Sequence, residues 1–119
     1  MTAMTAALED LLRPGSDRGS LSAWRWSVRR QLVPVRDQLL REHPARHEAW
    51  LSARATRMLR ERDELIARLN AVAAEVLSAP DADDLADRLT RLLADIARHH
   101  QRVDDLAWDD VELEIGGSE

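Results

Sequence analysis

The chain has 119 residues, enough for one domain with one modest core, and its 17 basic and 22 acidic side chains give a net charge of −5. Cysteine is absent, which excludes disulfides, thiol nucleophiles and thiolate metal sites, and all four aromatic residues are Trp, so the core falls to Leu, Val, Ile, Ala and Met. No apolar run approaches the ~20 residues a bilayer requires, and the start lacks the basic and apolar regions of a secretory signal, so a soluble, cytoplasmic protein is expected.

Taken in order, "TAALEDLL" reads as a short helix or a loose arm. "RPGSDRGS" (13–20), with one Pro, two Gly and two Ser, reads as a flexible break, so residues 1–20 form an arm and linker. The second segment begins at Ser20 or Ser22, either able to cap a helix. Leu21, Trp24, Val28, Leu32, Val35, Leu39 and His43 then follow at steps of three and four, one apolar stripe interrupted by Pro34, which predicts a kink.

A third helix is expected to start at Pro44 after a tight turn. Its seam is His47, Leu51, Ala55, Met58, Arg62, Leu65, Leu69, Val72 and Val76. "SAPD" (78–81) ends it. The fourth opens with Asp81 as N-cap and Asp83 and Asp84 in the first turn, where the helix dipole favours acids. Its seam is Leu85, Leu89, Leu92, Ile96, His99, Val103 and Leu106.

Short connections between long amphipathic helices predict an all-α, antiparallel up-down bundle of three long helices spanning 21–110, plus the N-terminal arm or short helix before it. In residues 111–119, Val111, Leu113 and Ile115 alternate with acids, which predicts an extended acidic tail.

Charge is uneven along the chain. Residues 21–62 hold ten Arg against four acids, and residues 81–119 hold four Arg against twelve acids. Acidic against basic helices within one bundle accounts for this, so no nucleic-acid partner and no membrane is expected. Trp24 belongs to the core stripe. Trp26, Trp50 and Trp108 fall off their seams, where they are covered by a loop or tail or else mark a surface for a homodimer or protein partner.

All four histidines lie on the apolar side of their helices. Equal rise per residue sets His99 opposite Arg62 and Met58, level with Val28 to Leu32, some 15–20 Å from His43 and His47. Arg62 on the seam pairs with Asp95 at the bundle edge, or else joins His99 and His100 in a buried polar cluster with Asp95. Its cation in the layer of those imidazoles opposes a metal ion. Glu61 and Glu64 fall on the outer side of their helix. Ser16, Ser20, Ser22 and Ser78 sit at breaks and caps, and no phosphate loop or nucleophile motif is present, so an enzyme is not expected.

The ordering of Trp24, Leu32, Arg36, Leu39, Leu40 and His43, then "RMLRERDEL" (57–65), then "HHQRVDDLAWDDVELEIGG" (99–117), resembles hemerythrin-like (HHE) domain proteins of high-GC actinobacteria. The resemblance implies a four-helix bundle binding two irons for oxygen or nitric oxide chemistry, iron handling or sensing. His43 then corresponds to a first-helix ligand, and His99 with Asp104 to the last-helix H-x4-D pair. Arg62 stands where the family carries His, which implies a domain degenerate in its ligands. The expected function is a non-catalytic interaction or regulatory protein without cofactor. The alternative is an iron-binding protein drawing on His43, His47, His99, His100 and Asp104, with a di-iron centre or haem held by an inward His.

Overall fold

The computed structural model describes residues 3–15, 17–42 and 49–117, with side chains over 5–15, 17–42 and 52–108. Among these residues the chain is all-helical: α1 (Ala3–Leu12), α2 (Leu21–Leu40), α3 (Ala49–Glu75) and α4 (Ala82–Gly117). No described helix is long and apolar enough to cross a membrane.

The segment expected as an arm or short helix is a helix because it has something to bury. Leu8 and Leu12 lie in the main core with Trp24, Val28, Leu89 and Leu93. The Trp24 indole N–H donates to the carbonyl of Leu11 at 2.8 Å, tying α1 to α2. The break that follows is pinned rather than loose. Gly15 and Gly19 adopt positive φ, where a side chain would be strained, and the Asp17 carboxylate accepts from the Gly19 amide. Arg18 pairs with Asp83 while its guanidinium lies 4.8 Å from the Trp24 ring centre.

Ser20 caps α2, its hydroxyl accepting from the Ala23 amide. The helix runs on through Pro34. Trp24, Val28, Leu32, Val35 and Leu39 are buried as their spacing requires, whereas Leu21 is exposed at the helix start. Arg25 is a buried cation that the apolar stripe does not reveal. It donates to the carbonyls of Val76 and Ala79 at 2.8 and 2.6 Å, satisfying acceptors left free at the end of α3. Asp81 caps α4, accepting from the amides of Asp83 and Asp84.

The expected start of the third helix at Pro44 lies outside the described residues, and α3 is described from Ala49. One expectation about a segment end is corrected. α4 continues to Gly117, so residues 111–117 are helical where an extended tail was expected. Between Pro80 and Gly116 no Pro or Gly interrupts that helix, and three alternating apolar residues are too few to outweigh a helix already propagating.

Register is the larger correction. Side-chain bonds join α2 to α3 at Arg25 with Val76, at Arg36 with Asn70 and at Glu42 with Arg62. Arg62 therefore sits level with Glu42 rather than with Val28. The first turns of α3 extend past the end of α2, where Ala55 and Met58 pack on Leu106 in a small separate cluster. The molecule measures 61 × 22 × 18 Å. Among the described residues it narrows from four helices at the α1 end to two beyond α2.

Candidate functional site

That register brings a carboxylate to the imidazoles. Glu42, two residues past the end of α2, reaches across to α4. Its Oε2 lies 2.5 Å from His99 Nε2, and its Oε1 lies 2.5 Å from His100 Nδ1. From α3, Glu61 Oε1 lies 2.7 Å from His99 Nδ1 and accepts from Arg102 Nη2 at 2.7 Å. His99 is fully buried, with none of its surface in contact with solvent.

A neutral imidazole has one N–H, so carboxylates on both ring nitrogens favour the doubly protonated cation. The electrostatics agree in direction. Burial works against ionising Glu42, but His100 and His99 overcome it and hold the carboxyl down at about 2. Burial likewise opposes charge on Glu61, and Arg102 and His99 hold it below the usual carboxylate range. For His99 burial opposes the cation, yet Glu42 and Glu61 together raise its ionisation above the ordinary value. The result is an ion-pair network, Glu42–His99–Glu61–Arg102, with His100 at its edge.

Arg62 takes no part in the imidazole layer as a cation facing His99 and His100. Its guanidinium turns to Asp63, at 3.0 and 3.2 Å, and donates to the main-chain carbonyl of Glu42 at 3.3 Å. Nor does it pair with Asp95, which binds Arg68 at 2.8 Å and also contacts Arg98. The polar cluster is thus Glu42, Glu61 and His100 around the buried His99, not one containing Arg62 and Asp95. Glu61 points inward, contrary to its expected outer placement. Glu42 was passed over because it lies beyond the apolar stripe of α2. One sign of it was available: a seam histidine requires a partner, and a carboxylate at a helix end is within reach.

Among the remaining candidates, Asp104 is exposed and Asp105 turns to Gln101. Asp104 and His100 border an open cavity of about 260 Å³ with Thr5, Leu93 and Ile96. His43 and His47 lie outside the described residues, as does the side chain of Trp50. Trp26 is 53% exposed and Trp108 64% exposed.

Four potential metal donors thus converge from three helices, but each is already engaged. Both nitrogens of His99 face carboxylates, and Glu61 is also held by Arg102. Among the described residues, no group of three His, Asp or Glu side chains is arranged to hold a metal ion. That donor set does not fit a pair of irons. No known protein family, curated protein or solved structure matches the chain.

Proposed function

We propose that the chain is a non-catalytic helical-bundle protein, a degenerate relative of hemerythrin-like domains, that acts in the cytoplasm through its surface as an interaction or regulatory module. Its helices are read as an antiparallel up-down bundle. Falling numbers in α3 meet rising numbers in α4 through Glu75 with Arg88, Arg68 with Asp95 and Glu61 with Arg102, which supports that arrangement. One observation carries the functional reading: the cluster with most chemical potential is closed by its own charges. Both imidazole nitrogens of His99 face carboxylates and Glu42 Oε2 is held by His99, while Glu42 Oε1 lies 2.5 Å from His100 Nδ1 without hydrogen-bond alignment, so a substrate would first have to break the ion pairs around the buried His99.

The test is elemental analysis of purified protein with an absorption spectrum from 300 to 500 nm. The expected outcome is no stoichiometric iron, no haem or iron–oxo band, and thermal stability unchanged by a chelator. Two irons per chain would overturn the reading.

A second reading is binding of a single divalent cation. It is favoured by the Glu42 carboxylate facing two imidazole nitrogens at once, with Glu61 behind His99 where a carboxylate orients a metal-bound imidazole. Metal–nitrogen and metal–oxygen bonds of about 2.1 Å would need those contacts to widen only modestly. Stabilisation by one equivalent of zinc or ferrous ion, lost in Glu42→Gln, would establish it.

A further inference from the structure

The outer face of α2 carries an exposed apolar line, with only the Arg29 guanidinium lying over its Trp26 ring among the described residues. Trp26, Val33 and Leu40 recur every seven residues and are 53%, 46% and 52% exposed. This line lies opposite the buried stripe of Trp24, Val28, Leu32, Val35 and Leu39, at 100° per residue. About half of each side chain in the line remains open to solvent among the described residues. At one end Trp26 borders a shallow cavity with Leu21 and Leu77, both exposed.

We propose that a second copy of this chain covers the line, with the two α2 helices antiparallel about a two-fold axis through Val33. The inference rests on the interaction reading above and names its partner. The register follows from the sequence: Val33 meets its own counterpart, and Trp26 meets Leu40 of the other copy. Charge then selects the second copy over an arbitrary apolar partner. Arg30 and Asp37 flank the line on one edge, three residues before and four after Val33. The two-fold brings each Arg30 to within about one residue rise, ~1.5 Å along the axis, of the other copy's Asp37. Two ion pairs form, one on each side of the axis, as flanking charges do in paired helices. Neither residue has an ion-pair partner among the described residues. On the opposite edge Arg29 and Arg36 would repel their counterparts if free. They are drawn back to their own chain, Arg29 over the Trp26 ring and Arg36 toward Asn70.

Sedimentation and light scattering of the full chain test this, with circular dichroism as the check that exposed substitutions leave the helices intact. The wild type is expected at twice its 13.5 kDa mass. Arg30→Asp alone and Asp37→Arg alone are each expected to weaken self-association about tenfold or more, because attraction becomes repulsion at two symmetric places. The double swap restores the dimer. Mixing the two single variants yields a heterodimer, since each then supplies what the other lacks. A wild type that is monomeric at every concentration overturns the proposal. So does a dimer that survives both single swaps and Val33→Glu, and in that case the interaction reading stands on another surface. Iron found at two per chain, with the dimer intact, would instead remove the functional reading and leave this interface.

Discussion

His99 is held on both ring nitrogens, by Glu42 from the end of α2 and by Glu61 from α3, and the fold therefore stabilises its charged form. Glu42 ionises at about 2 in the fold against 4.5 in an open chain. Its contribution is complete above pH ~4.5 and is lost as pH falls through about 2. His99 is raised above 6.5, so its contribution is complete below that value and is lost as pH climbs through the raised one. Thermal unfolding followed across pH should show a plateau from about 4.5 to 6.5, falling away on both sides. In His99→Gln the plateau drops and the alkaline fall flattens; an unchanged alkaline limb would detach it from this residue. A carboxylate moved from 4.5 to about 2 corresponds to roughly 3 kcal/mol, a value shared with its imidazole partners and counted once. Glu42→Gln should cost about that much in denaturant unfolding, because it leaves a buried cation with one counter-charge. Asp104→Asn, at an exposed position, should stay within ~0.5 kcal/mol. Equal losses from the two would contradict the assignment of the network.

At the scale of elements, α2 serves two faces and one end. Its inward stripe fills the core, and its buried Arg25 closes the end of α3 by donating to Val76 and Ala79. Arg25→Met keeps the length and apolar stem but leaves two carbonyls without that donor. The expected loss is about 2 kcal/mol by denaturant unfolding, with Arg25→Lys recovering part of it through a single ammonium. No loss in Arg25→Met would mean that water serves those carbonyls equally well. The seams of α3 and α4 were legible because burial imposes a step of three or four. Leu65, Leu69, Leu85, Leu89, Leu92, Ile96, His99 and Leu106 are all buried as spaced. Periodicity places a residue around a helix, not along its neighbour. The height of α3 against α2 is set by how the chain passes between them, which no repeat encodes. This is why Arg62 was matched to Val28 and why Glu42 was not seen beside His99. Arg25 escaped for a related reason: a cation capping another helix breaks the apolar pattern rather than following it.

Over the whole molecule the number of helices in cross-section falls along the 61 Å axis. At the α1 end Leu8, Trp24, Val76, Leu85 and Leu89 share one core drawn from all four helices. In the middle the His99 network bonds α2, α3 and α4. Beyond Glu42 the described parts of α3 and α4 share a small apolar cluster of Ala55, Met58 and Leu106, apart from the main core. The apolar cluster there is smaller than the main core, so local opening should cost least there. Native-state hydrogen exchange should accordingly be graded. Amides of α4 from Leu85 to Ile96 should exchange slowest, at close to the global unfolding free energy, and those past Leu106 fastest. The His99 network is the boundary between the two regimes, because it is the last layer in which α2 takes part. Glu42→Gln should therefore move the boundary toward α1, speeding exchange around Leu65 and Ile96 more than around Leu85. Uniform acceleration along α4 would show instead that the chain opens as one cooperative unit, with the ion-pair layer contributing to stability everywhere alike.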